Sequence, residues 1–256
     1  MNTRLVTTAL ALVSLPAFAG SSAPAIDSTA VTAPESSPWE FRVALYGWAE
    51  GIEGDVGVLG RTAPVDISFS DIIEDLDMGF MGAFEVGRDR WSIIADFVYA
   101  DIGAKETIRA FTVDFSQEQF LGNFTVNYEL FNNDAVTIGL YAGARVNALD
   151  IDLSISGPFG FNPNRSTSES WVDPIIGARF GAALSEKFIC FASGDVGGFG
   201  VSSEFTWQAL AGFGYRVTEN GTIALGYRAI GTDYTNGGFT YDVTASGPVL
   251  GYEYKF

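Results

Sequence analysis

The chain contains no histidine. Imidazole is the usual general base near neutral pH and the commonest metal ligand, so a histidine-based triad and a histidine metal centre are both excluded. One cysteine, Cys190, leaves no internal disulfide to form. Its alternation puts it on an apolar face, as packing. Cations are scarce: 14 Lys and Arg stand against 31 Asp and Glu, a formal charge of −17. A nucleic-acid binder needs clustered Lys and Arg, so that class is excluded as well. Beyond the N-terminal segment no stretch approaches the run of about 18 apolar residues that a membrane-spanning helix requires.

What the chain does have is alternation. From Trp39 onward bulky apolar residues recur at every second position, with polar or charged residues between them. The clearest stretch is Pro248 to Phe256: Pro248, Leu250, Tyr252, Tyr254 and Phe256 make one face, and Val249, Gly251, Glu253 and Lys255 the other. That is the pattern of a strand with lipid on one side and a polar lumen on the other. In lipid the backbone is satisfied only within helices or closed barrels. With spanning helices excluded, the sequence predicts an all-β, transmembrane, antiparallel up-and-down barrel.

The N-terminus carries Arg4, an apolar core from Leu5 to Leu15, and the small-x-small site Ala17-Phe18-Ala19. Residues 1–19 read as an export signal. Residues 20–38 are small, polar and Pro-rich, a disordered periplasmic lead-in, and residues 39–256 form the barrel. Ten strands are expected, at about 39–50, 79–87, 91–101, 120–131, 135–149, 173–184, 188–197, 206–217, 222–230 and the C-terminal segment; eight or twelve remain open. Short turns at Asp89, Asn132–Asp134, Glu186 and Asn220 alternate with five longer connections, 51–78, 102–119, 150–172, 198–205 and 231–245. Short periplasmic turns opposite long outer loops is the asymmetry of a bacterial outer-membrane barrel. The alternation slips between Phe115 and Phe120, which predicts a bulge or the end of an extension there. Hairpins above the membrane are open at 51–68 and 105–117.

The charges fix which face is inward. A one-residue slip would turn several Arg and Asp to lipid, and one Arg at the bilayer midplane costs about 2–4 kcal/mol. The inward set is Arg42, Glu85, Asp96, Glu129, Arg145, Arg179, Asp195, Arg216, Arg228 and Glu253, with Glu40 and Lys255 beside them. It reads as an ion-pair network filling a narrow lumen; the alternative is a charged pore constriction. Arg179 with Asp195, and Arg228 with Glu253, sit on neighbouring strands.

The surplus acid lies in the first loop, with Asp71, Glu74, Asp75 and Asp77 as its densest part. Ser70 is placed to cap a short helix starting at Asp71. The loop reads as a solvated acidic segment; the alternative is a divalent-cation site bridging to lipopolysaccharide. No EF-hand spacing is present, and no metal ligand set or cofactor is assigned. Phe159, Phe161, Phe199, Phe205 and Phe239 read as loop residues that pack on the barrel rim or meet a partner.

Several stretches carry a resemblance: Ser68-Phe69-Ser70-Asp71-Ile72, Val98-Tyr99-Ala100-Asp101, Gly143-Ala144-Arg145, Trp171-Val172-Asp173-Pro174, Gly194 to Gly200, Trp207 to Gly212, Gly226-Tyr227-Arg228, Tyr241-Asp242-Val243 and Gly247-Pro248. With these the chain resembles a family of proteobacterial outer-membrane β-barrel proteins described only as hypothetical or outer-membrane proteins. The resemblance implies fold and location and supplies no catalytic residue. Because several barrel proteases and lipid hydrolases depend on histidine, the sequence points to a non-enzymatic barrel with a filled, charge-paired lumen and a role in the envelope or in surface contact. A narrow channel for ions or small solutes is the alternative. The expected partners are outer-membrane lipid and lipopolysaccharide, the barrel-assembly machinery through the strand ending at Phe256, and a small solute or surface partner.

Overall fold

The computed structural model describes residues 39–256 apart from 59, 109–110, 134 and 159–161; the side chains of residues 58, 106–108, 111, 113 and 153 are also outside that description. The export signal, the lead-in, part of the Asn132–Asp134 turn, Phe159 and Phe161 therefore fall outside the described residues.

Among the described residues twelve strands and one short helix follow one another. They are β1 (Glu40–Trp48), β2 (Gly51–Val58), β3 (Arg61–Ile67), α1 (Phe69–Glu74), β4 (Leu76–Arg88), β5 (Trp91–Ile108), β6 (Phe111–Asn132), β7 (Val136–Ser156), β8 (Asn164–Ala183), β9 (Phe188–Gly197), β10 (Phe205–Arg216), β11 (Gly221–Asn236) and β12 (Phe239–Lys255). Ten of them, β1 and β4 to β12, form the barrel wall, all antiparallel, closed by β1 against β12 in the register Arg42↔Lys255 to Trp48↔Val249. Closure removes the sheet edge that lipid cannot tolerate. The hairpin β2–β3 sits above this ring: β2 pairs with the outer part of β12, from Ser246↔Gly51 to Thr240↔Gly57, and β3 pairs only with β2.

The long connections are mostly strand. β5 and β6 stay paired out to Ile108↔Phe111, and β6 and β7 to Thr112↔Ser156. Above the bilayer both faces of a strand meet water, so the apolar alternation that marks the spanning part fades although the hydrogen-bond ladder continues. The slip expected between Phe115 and Phe120 is not a bulge. The register is continuous there, and the irregularities lie at Glu129/Phe131 and at Leu76/Met78.

A belt of exposed apolar side chains circles the spanning part, among them Phe84, Ile93, Phe124, Leu140, Ile176, Phe213, Leu225 and Leu250. Short turns lie at one end and strand extensions at the other, which orients the short-turn end to the periplasm. α1 is capped by Ser68 rather than Ser70. Ser68 accepts from the Asp71 amide, and the Asp71 carboxylate accepts from the Ser68 amide at 3.0 Å. The cap therefore sits two residues earlier than Ser70, because the acid three positions after Ser68 completes a capping box.

Candidate active site

The lumen is built in layers. At the periplasmic end Arg179 donates to both oxygens of Glu85, at 3.0 and 3.4 Å, while Arg42 lies 3.9 Å from Glu85 and 3.6 Å from Glu40, and Lys255 lies 2.9 Å from Glu40. These groups surround a cavity of about 830 Å³, which Glu129, Arg216 and Glu253 also line. Glu129 accepts from Asn132 at 2.6 Å, and the exposed Arg216 donates to the Glu186 carbonyl in a turn at 2.9 Å. Arg216 thus belongs to the barrel mouth, not to the interior set.

The middle layer is buried. Arg228 donates to Asp96 at 2.6 Å, Tyr46 at 2.8 Å and Gln208 at 2.8 Å. Arg145, fully buried, donates to Asp195 at 2.7 Å, Thr206 at 2.7 Å and Asn123 at 2.9 Å, and Tyr141 donates to Asp195 at 3.0 Å. Arg179 and Asp195 do sit on neighbouring strands, as do Arg228 and Glu253, but the ion pairs run elsewhere: Arg179 meets Glu85 across the lumen, and Arg228 meets Asp96. Strand tilt brings together residues that neighbour each other in space and not in strand order. Above this layer the lumen is apolar, first Trp48, Val98, Leu121 and Ile230, then Leu149, Trp171, Tyr234 and Phe239.

The acidic loop residues separate. Asp71 closes the helix cap, and the Ser68 hydroxyl and amide hold its carboxyl below its ordinary range. Glu74 ends α1, Asp75 follows it, Asp77 is the second residue of β4, and all four are exposed. Among the described residues no group of acids is arranged to hold a metal ion.

The feature the sequence did not single out lies at the outer end of β1. β1 and β4 pair from Glu40↔Gly87 to Leu45↔Gly82 and stop, although β1 runs on to Trp48 and β4 begins at Leu76. The Trp48 amide donates instead to the Met81 thioether at 3.2 Å. The gap opens into a mostly apolar cavity of about 410 Å³ whose lining includes Trp48, Glu50, Ile72, Met81, Ala100 and Leu250. Glu50 is 7 % exposed, and among the described residues no hydrogen bond reaches its carboxylate. Burial pushes its pKa up to about 7, against the opposing pull of the Arg228 charge. The Trp48 indole N–H, also buried, has no partner. A carboxylate near neutral pKa and an unpaired donor beside an apolar cavity are the ingredients of a general-base site. Glu50 continues the inward parity of Tyr46 and Trp48. That parity was its only signal in the sequence.

The closed ring, the apolar belt and the turn asymmetry decide the class. It is an outer-membrane β-barrel protein. The sequence model of a family described as lipid A 3-O-deacylase (PagL) matches residues 119–240. No curated protein matches the chain. Among solved structures, the outer membrane protease OmpT from Escherichia coli is similar at 13 % identity, with 90 % of this chain and 100 % of that chain covered and a TM-score of 0.55. Ail, the attachment invasion locus protein of Yersinia pestis, is similar at 14 % identity over 86 % of this chain and 99 % of that chain, with a TM-score of 0.38. The likeness to the protease bears on the fold alone. The family match corrects the functional expectation: the matched family is one of enzymes, so the non-enzymatic barrel and its channel alternative do not stand. Lack of histidine excludes an imidazole base, and it does not exclude hydrolysis by a carboxylate.

Proposed function

We propose that the protein hydrolyses an acyl ester of an outer-leaflet lipid, lipid A in the first instance, with Glu50 as general base. The observation that carries this is Glu50 itself: a buried carboxylate without a hydrogen-bond partner, on an apolar cavity at the outer end of the lipid-facing wall. The match of residues 119–240 to a lipid A deacylase family supports the substrate class.

The chemistry needs no cofactor. Glu50 takes a proton from a water molecule, whose oxygen attacks the ester carbonyl carbon. The Trp48 indole N–H donates to the carbonyl oxygen as it gains negative charge, an oxyanion contact made by an otherwise unpaired donor. Collapse of the tetrahedral intermediate breaks the bond to the alcohol oxygen. That oxygen takes the proton from Glu50, and the freed acid leaves. Arg228, held by Asp96 and Gln208, keeps the Glu50 pKa from rising further, so that about half of the carboxyl is ionised at neutral pH.

The test is mass spectrometry of lipid A after incubation with the full chain purified from outer membranes. The expected result is loss of one acyl group, and a drop of about 100-fold or more in Glu50→Gln. Intact lipid A with a folded barrel, or an unchanged rate in Glu50→Gln, would overturn the proposal.

A further inference from the structure

The open seam also has a binding consequence, which rests on the reading of this cavity as the site where lipid is used. A continuous barrel wall separates lipid from lumen. Here the cavity is lined from both sides of the wall: Leu225, Leu250 and Gly47 belong to the outward face, and Trp48, Met81 and Ala100 to the inward one. The missing pairs are those that would continue the register past Leu45↔Gly82. A side chain on Gly79 would first meet Leu76 and the Tyr99 carbonyl, not β1, and one on Gly47 would meet no atom within 4 Å.

The surroundings of the mouth identify what enters. Leu225 (59 % exposed), Leu250 (60 %) and Phe80 (52 %) make it continuous with the lipid-facing belt. α1 lies across the outer lip, with Ile72 buried against Ile52 and Val243, and with Phe69 and Ile73 exposed as further apolar surface. The helix is acidic on its solvent side, which keeps it at the water boundary while its apolar residues face the opening. An unzipped ladder at this depth leaves backbone groups without strand partners in a medium that supplies none, a cost that stability alone does not explain. We propose that the outer half of the β1–β4 seam is a lateral entry, through which one acyl chain of an outer-leaflet lipid leaves the bilayer and lies in the cavity beside Trp48 and Glu50.

The experiment is quenching of tryptophan fluorescence by phosphatidylcholine vesicles with brominated acyl chains, into which the full chain is folded. One form keeps Trp48 alone and the other keeps Trp171 alone, with the remaining tryptophans replaced by Phe. Trp171 is a control buried in the lumen away from the seam. Trp48 is expected to lose at least half its intensity and Trp171 little. Gly47→Phe, which fills the mouth, should return Trp48 to the Trp171 level. Where Gly47→Phe fails to fold, Gly47→Cys in a Cys190→Ala background, alkylated with a bulky maleimide after folding, makes the same block. Trp48 quenched no more than Trp171, or quenching unchanged by either block, overturns the entry. Because quenching reads binding and not turnover, quenching without hydrolysis supports the entry and refutes the esterase, whereas hydrolysis without quenching does the reverse.

Discussion

Glu50 couples the site to the stability of the barrel, and the coupling has a defined sign. Its pKa rises from an ordinary 4.5 to about 7 on folding, because burial disfavours the charged form more than the Arg228 charge favours it. The folded state therefore holds a proton that the unfolded state releases between these two values. Stability is greatest below pH 4.5, falls as pH rises from 4.5 to about 7, and is level above that. The full difference is roughly 3 kcal/mol, a substantial part of an ordinary domain's stability. The other ionisable groups facing Glu50 are Arg228 from β11 and Tyr241 from β12, and neither changes charge in this window. The assay is urea unfolding of the full chain in detergent micelles at half-unit steps from pH 4 to 8, for wild type and Glu50→Gln. The remaining carboxylates titrate in both proteins, so the difference isolates Glu50. The variant should overtake the wild type as pH rises, with the gap opening between pH 5 and 7. Parallel curves across that window would falsify the buried, unpartnered placement of Glu50, and with it the site.

Other outcomes follow from the same geometry. The hydrolysis rate should rise tenfold per pH unit up to about pH 7 and then level, since only ionised Glu50 is a base; a flat profile from pH 5 to 8 would point to another group. Trp48→Phe should lower kcat about 100-fold with KM nearly unchanged, as expected for a donor used mainly in the transition state. Arg145→Met leaves the Asp195 carboxylate buried and uncompensated, a loss of about 3–5 kcal/mol in urea unfolding. Removing the acid too, as Arg145→Met with Asp195→Leu, should recover most of it. Ser68→Ala removes the cap of α1 at a cost of about 1 kcal/mol. Hydrogen exchange should quicken at residues 69–74 while the global unfolding midpoint stays in place.

The barrel was legible because bilayer and lumen impose opposite demands on alternate residues. Leu225, Tyr227 and Leu250 announce their face, and Arg228 in their midst announces the other. Outside the bilayer that contrast disappears, and this is why the extensions of β5 to β8 and the hairpin β2–β3 passed for loops or stayed open. Parity assigns Arg228 and Asp96 to the lumen, but their pairing at 2.6 Å joins residues 132 positions apart across the barrel, and alternation carries no information about strand tilt. The seam was least legible of all. Nothing in the alternation of β1 or β4 says that their ladder stops at Leu45↔Gly82. Glu50, one acid among several following β1, differs from its neighbours only in being buried, and burial there is made by the hairpin and helix packed above it.

The carboxylates of the matched segment bear on where a base can lie. Residues 119–240 run from within β6 to the start of β12, whereas Glu50 follows β1. A base inside the matched segment would make Glu50 dispensable, so those acids have to be weighed. Two of them are buried. Asp195 is held by Arg145 and Tyr141, and Asp173 accepts from the Ser203 amide at 2.8 Å and its hydroxyl at 2.7 Å, fixing the connection after β9. Glu169 accepts from Tyr234 and Asn236. Each of these acids is already engaged by a cation or by donors of the barrel itself. Glu50 is poised the other way, desolvated and without a donor, so its affinity for a proton is high enough to take one from water and low enough to return it to a leaving alcohol. In the proposed hydrolysis the base therefore comes from the end of the first strand, whereas the family match runs from β6 to the start of β12, and the two meet where β12 carries both β1 and β2.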